Sequence, residues 1–571
     1  MKIRVDKKTL IVYGILVAIA SVSLLFTNIS YDIEYQVAMA YRVLKGDVMI
    51  LEMWEPHQTS AFLCAIFMKI YMTLFGTTTG IILYLQFVGF VIRILCGFLM
   101  YKIVRKVSGD VPAIIVFGMN ILISPKELLV PEFGNMQLLF GMLLFFMLVY
   151  YQEKAKLRYL VGAAIFMCLG VFSYPSFLLV YIAVVIIFIK NSKCIKRDIA
   201  IFTGVCALIG GGFVAYIFAT VDFTTLMKCL EVALAVEPSH TVSLADKALA
   251  HLLNIGKIAF MLAAVAAIGF LIECLTSLII GKKKGTGFKI AYDRWLFTSW
   301  YVLMICLLYN ILSVSNRGGY AFPFVVILVL GVCNRKLLSD DEKRLFDMAW
   351  LISGMSLIAT LVLSDNAFLQ AITYMLIIIC ISIIPIYRYF EKKWDKKWIR
   401  KMCIVGCHVF FILIVFRCVF IHIPFYGRSQ IYSLMSDVAL IRSGPAMGII
   451  ADEEGVARQR DSVEEWKEYI EPGDTIWILG EPVDTLGYLY EDVEVGAPTV
   501  MSTPTYNEQL LYYWELNPEK YPDVVILSSS FGELAWELRA NEWLMDWVEN
   551  EYCADDIIDG HYWRYYIKRN K

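Results

Sequence analysis

Residues 29 to 62 read ISYDIEYQVAMAYRVLKGDVMILEMWEPHQTSAF, directly after a long apolar run. Asp32 and Glu34 supply two carboxylates beside that run, and ionisable groups packed near a lipid boundary point to function. On a helix, positions i and i+2 point about 200° apart, so only one of the two can aim at a given substrate atom. An Asp at this place also serves as a helix cap. Arg42, Glu55 and His57 add charge and hydrogen-bonding capacity in the same stretch, with His57 between Pro56 and the next apolar segment. Farther along, VPEFGNMQ brings Glu132, and the turn SNRGGYAFPF brings Arg317 and Tyr320. A guanidinium fork at a membrane boundary suits a phosphate, although it also serves to snorkel toward lipid headgroups. Arg93, inside an apolar run, has the same two readings. Carboxylates with His57 could hold Mg²⁺ or Mn²⁺, but the spacing matches no zinc signature. No metal and no other cofactor is expected.

The elements that must carry these residues are hydrophobic. The 571 residues are 59% apolar and 18% charged, with a mean hydropathy of +0.64, more apolar surface than one globular core can bury. Lipid therefore covers much of it. The formal net charge of −1 conceals an asymmetry: residues 425 to 571 hold 11 Lys+Arg against 28 Asp+Glu, a net of −17, and the preceding residues carry +16. The expected organisation is a transmembrane domain over 1–424 and an acidic, extracytoplasmic α/β domain over 425–571. Of the 14 cysteines only Cys553 lies in the tail, so structural disulfides are not expected.

Apolar stretches of roughly 20 residues centre near 17, 92, 119, 143, 165, 181, 210, 266, 304, 326, 355, 377 and 412. The apolar segment Ser60 to Phe75 is shorter. Basic clusters at the N-terminus, 102–106, 154–158, 190–197, 282–294, 335–344 and 388–401 all fall on one side if that short segment lies along the interface. The reading is an α-helical polytopic protein of the plasma membrane with about 13 spans plus interfacial helices. Its N-terminus is cytoplasmic, and the first loop, residues 28–79, faces outward together with the tail. TIWILG, DVVILSSS and YWRYYIKR read as strands of the tail's α/β domain.

No nucleotide-binding glycine loop, HExxH or paired CxxC occurs where it would carry meaning. Energy for any chemistry must then arrive in an activated substrate. No nucleic-acid partner is expected.

These residues resemble the GT-C class of membrane glycosyltransferases, in particular the branch of the aminoarabinose transferase and the protein O-mannosyltransferases. The resemblance rests on the acidic pair after the first span, the two juxtamembrane helices, WEPHQTSAF, the acid in VPEFGNMQ, and the late Arg/Tyr/Pro turn. It implies transfer of a sugar from a polyprenyl-phosphate carrier to a glycan, lipid or protein acceptor at the outer face, with inversion. By that resemblance Asp32 or Glu34 is the catalytic base, and Ile33, which separates an often adjacent pair, leaves open which. Glu132 would orient the acceptor or bind a metal, and Arg317 would hold the carrier phosphate. Arg42, Glu55, His57 and Tyr320 complete the expected substrate contacts. The alternatives are a transporter or flippase of lipid-linked saccharides, a carbohydrate polymerase or ligase, and a non-catalytic relative whose tail binds a partner.

Overall fold

The computed structural model describes residues 7–27, 29, 31–123, 129–235, 244–284, 294–295, 298–299, 302, 321–363, 368–393, 397–422, 430–431, 438–479, 482–500, 507–528, 543 and 546–569. Its helices are α1 (Lys7–Leu25), α2 (Tyr31–Lys45), α3 (Gln58–Phe75), α4 (Ile81–Ser108), α5 (Asp110–Leu122), α6 (Phe133–Lys154), α7 (Leu157–Ser173), α8 (Val180–Asn191) and α9 (Ile195–Thr220). They continue with α10 (Phe223–Ala235), α11 (Leu244–Lys284), α12 (Ala321–Cys333), α13 (Asp340–Leu363), α14 (Leu376–Lys393), α15 (Lys397–Phe420), α16 (Glu453–Tyr469) and α17 (Asn507–Leu516). Each apolar centre expected from the sequence falls inside a described helix, except that near 304, which lies outside the described residues. By length and composition, 7 described helices are able to cross a membrane, and several others, α5 and α8 among them, are shorter. α6 and the stretch Ile372–Lys392 are the most enclosed of the long helices, whereas α9 is mostly uncovered.

α3 is one of the seven by composition, and it is tethered at both ends. Before it, the Trp54 N–H donates to the Pro498 carbonyl (2.8 Å). After it, Thr78 Oγ1 donates to the Leu489 carbonyl (2.6 Å) and the Gly80 N–H to the Gly444 carbonyl (3.0 Å). Both ends thus hang on one C-terminal region, the arrangement expected of a helix that does not cross. Its side chains agree: Ala61, Cys64, Ala65 and Met68 are buried, while Phe62, Ile66, Ile70 and Leu74 form an exposed apolar stripe at i, i+4 spacing, the pattern of a helix lying in the lipid interface.

The C-terminal region contains β1 (Ile421–His422) paired with β2 (Gln430–Ile431), β3 (Val438–Leu440) paired with β4 (Ile450–Asp452), and a five-stranded sheet. That sheet has the order β6 (Glu494–Val495), β5 (Thr475–Leu479), β7 (Val524–Ser528), β9 (Trp563–Ile567), β8 (Asp556–Asp559). β5 is parallel to both β6 and β7, and β9 is antiparallel to β7 and β8. All of β5 is buried because successive side chains meet different helices. Trp477 packs edge-on against Trp514 of α17, and Ile478 and Trp466 of α16 close together over Gly487. The three strands read from the sequence coincide with β5, β7 and β9. The 424/425 boundary falls among residues outside the description.

One hydrophobic core runs from Ile33, Trp54 and Met68 into Trp477, Trp514 and Tyr565, and a second fills the helical bundle from Met100 to Ile384. Packing thus joins the first loop to the tail.

Candidate functional site

α2 starts with Asp32 and Glu34 in its first turn and ends with Arg42 and Lys45 in its last, charges that complement the helix dipole at both ends. Gly46, with φ of +107°, turns the chain back as only glycine does readily. Most of the helix from Ile33 to Arg42 is buried. Asp32 and Gln36 are one turn apart and share a face; Glu34, 1% exposed, belongs to a different one.

The Asp32 face meets the start of α6. Gln36 Oε1 accepts from the Phe133 N–H (3.2 Å) and from Ser60 Oγ of α3 (3.0 Å). Glu132 caps α6: its carboxylate accepts from the Gly134 N–H (2.7 Å) and the Asn135 N–H (2.5 Å), and it is fully buried. Gly89 of α4 permits this course, since a Cβ there would collide with the Leu129 carbonyl. Arg93, one turn on, donates to the Asn120 and Ile123 carbonyls at the end of α5.

His57 precedes α3 with its ring stacked on Phe133 (4.1 Å between centroids, 14°) and tilted against Tyr174 (4.7 Å). Tyr174 ends α7, and Tyr374, in the tight turn before α14, completes the group: Glu132 and Asp32 are the carboxylates near its hydroxyl, and Tyr174 lies beside it. Residues distant in sequence thus converge at one end of the bundle.

The side chains of Arg42 and Glu55, expected among the substrate contacts, are engaged with each other and with the tail. At the far end of α2, about 15 Å from Asp32 at 1.5 Å per residue, Arg42 pairs with Asp47 (2.6 Å) and Glu55 (3.0 Å), all but sealed from solvent. Its other donors reach the Glu52 and Pro498 carbonyls and the Tyr513 hydroxyl. Glu55 also accepts from the Val500 N–H (3.0 Å). Lys520 of the tail binds Asp47 (2.8 Å) and Glu494 (3.0 Å), and Lys45 binds Asp492. Burial pushes the Glu55 carboxyl up, an effect that Arg42 reduces without cancelling; Glu52 is raised by burial too. Lys520 is raised because Asp47 and Glu494 outweigh its burial.

The structure therefore brings Asp32, His57 and Glu132 together, with Glu34 beside them on another face of α2; Arg42 lies at the other end of α2, and Glu55, two residues before His57, turns its carboxylate to Arg42 and the tail. Arg317 and Tyr320 lie outside the described residues. Sequence reasoning passed over Gln36, Phe133 and Tyr374, and over the tail partners Tyr513 and Lys520. Among the described residues no group of three or more His, Cys, Asp or Glu is arranged to hold a metal ion.

No family model matches the chain, and no curated protein does. Among solved structures it is similar to the archaeal oligosaccharyltransferase AglB from Archaeoglobus fulgidus in complex with an inhibitory peptide and a dolichol-phosphate. That match has 11% identity and a TM-score of 0.43 over 92% of this chain and 70% of that one. It is also similar to the Archaeoglobus fulgidus oligosaccharyltransferase in complex with Zn and sulfate, at 11% identity and a TM-score of 0.44 over 90% of this chain and 68% of that one. Both neighbours are oligosaccharyltransferases.

Proposed function

We propose that the chain transfers a sugar from a polyprenyl-phosphate carrier to an acceptor at the membrane face bearing residues 28–79 and the tail, the outer face, with Asp32 as general base. The observation that carries this reading is the position of Asp32: half-buried, on the α2 face that meets Glu132 and Tyr374, beside an interfacial helix. Glu34 lies on another face, which favours Asp32 of the two acids. In the reaction the acceptor oxygen attacks the anomeric carbon, its proton passes to Asp32, and the bond to the carrier phosphate breaks with its electron pair leaving on the phosphate. Attack opposite the leaving group inverts the centre. A positioned carboxylate contributes about 10²- to 10⁴-fold to such a step. Arg317 is the proposed clamp for the leaving phosphate.

A groove of about 600 Å³ between α2 and α3, lined by Val43, Leu44, Phe62, Ile66 and Ile70, offers a carrier tail an apolar bed at the Arg42 end of α2. Arg42 and Glu55 are assigned a bracing role, holding α2 against the tail, and the tail is assigned the shaping of the acceptor entrance. Purified protein incubated with a panel of lipid-linked sugars, with products read by mass spectrometry, tests the reading. Asp32→Asn is expected to lose turnover by about 10²-fold or more with expression and donor binding unchanged; full activity in that variant removes Asp32 from the mechanism.

A further inference from the structure

Tyr374 is 2% exposed, and its hydroxyl has no hydrogen-bond partner among the described residues. The ring reaches over the first turn of α6: a Cβ at Gly134 would lie 2.5 Å from the Tyr374 hydroxyl and 3.0 Å from Glu132 Oε1. Glycine at 134 is thus what lets this hydroxyl come so near the capping carboxylate. Gln36 holds a second buried donor close by. The Phe133 N–H can only donate, so the amide oxygen of Gln36 must face it, and Nε2 has no partner among the described residues while Gln36 is 0% exposed. Buried donors are seldom left unmade without a reason.

Two unmade donors beside two carboxylates select a particular ligand chemistry. An anion placed there would be repelled by Asp32 and Glu132, and a cation would leave the donors unmade. A hydroxyl meets both demands, because it donates to a carboxylate and accepts from Tyr374 or Gln36. Several hydroxyls held rigidly on one neutral ring would meet them together, and the Tyr174 ring borders the same place. We infer that Tyr374 Oη and Gln36 Nε2 form a subsite for the hydroxyls of a neutral sugar ring, next to Asp32 and Glu132. The inference rests on the transferase reading and specifies which part of the substrate these residues hold.

The test uses the full chain in lipid nanodiscs, with methyl hexopyranosides as neutral probes and inorganic pyrophosphate as the charged one, binding being read by saturation-transfer NMR. Tyr374→Phe is expected to fold as well as the wild type, since it removes a hydroxyl without a partner. It is expected to bind the glycosides about three- to tenfold more weakly, the value of one hydrogen bond. Gln36→Glu, which keeps the acceptor oxygen and loses the donor, is expected to weaken them as well. Wild-type protein that binds no glycoside, or a Tyr374→Phe variant that binds them equally, overturns the subsite, as does pyrophosphate binding that depends on Tyr374. Turnover of lipid-linked sugars at unchanged KM in Tyr374→Phe would keep the transferase reading and remove the subsite. Tyr374-dependent glycoside binding in a protein that turns over none of the lipid-linked sugars would do the reverse.

Discussion

Arg42 and Glu55 meet at 3.0 Å with neither side chain exposed, and their remaining hydrogen bonds run mainly to the tail, at Pro498, Val500 and Tyr513. Removing one member of a buried pair leaves the other charged and unsolvated, a loss of about 3–5 kcal/mol. Arg42→Ala is therefore expected to lower the unfolding temperature and expose residues 46–57 to protease. Arg42→Met combined with Glu55→Leu is expected to recover part of that loss, and thermal unfolding of the three proteins checks it.

The pH dependence of this contact has a defined sign. The Glu55 and Glu52 carboxyls titrate above their ordinary value of 4.5, chiefly through burial. The fold then holds their protons after the unfolded chain has released its own. Their contribution to stability is full below 4.5 and is lost as pH rises through the folded values. Lys520, raised above 10.5, follows the same rule in a higher window and contributes fully until pH exceeds 10.5. Glu55→Gln is expected to flatten the lower window and leave the upper one intact, as measured by protease protection of residues 46–57 against pH.

Glu132 engages backbone N–H groups of α6 through both carboxylate oxygens. Glu132→Ala should cost about 0.5–2 kcal/mol, the range for a lost cap, visible as lower thermal stability. Glu132→Gln, which retains one acceptor oxygen, should lose less. If both variants keep wild-type stability, the carboxylate is not the cap.

α3 lies flat if both of its ends belong to the same region. Spin labels at Phe62→Cys and Leu74→Cys should then report similar immersion depths, whereas a crossing helix would separate them by about 18 Å at 1.5 Å per residue. Relaxation by oxygen and by a water-soluble nickel complex measures both depths.

Much of the architecture was legible because it rests on one-dimensional signals. Apolar runs announce helices, and β5, β7 and β9 are short β-branched and aromatic runs bounded by turn residues, such as the EPGD turn whose Gly473 has φ of +93°. Asp32, His57 and Glu132 were legible as a group because each lies beside a break in an apolar run. The role of Arg42 was not, because its partners follow it by as many as 471 positions and a charge on an amphipathic helix reads the same whether it meets substrate or another domain. Tyr374 was invisible for a different reason: one tyrosine in an apolar stretch has no period or motif, and its meaning comes from Gly134 lying beneath it.

The clamp between α2 and the tail also sets an order of events during synthesis. Arg42 waits for a carbonyl 456 positions downstream, and at 5–20 residues per second a ribosome takes about 20–90 seconds to cover that distance. Throughout that interval Trp54, Asp47 and Glu55 have Arg42 beside them but lack the tail partners Pro498, Val500 and Lys520. A chain released early, short of Pro498, keeps Arg42, Asp47 and Glu55 yet lacks the tail contacts that enclose them, so premature termination is expected to leave residues 46–57 loose.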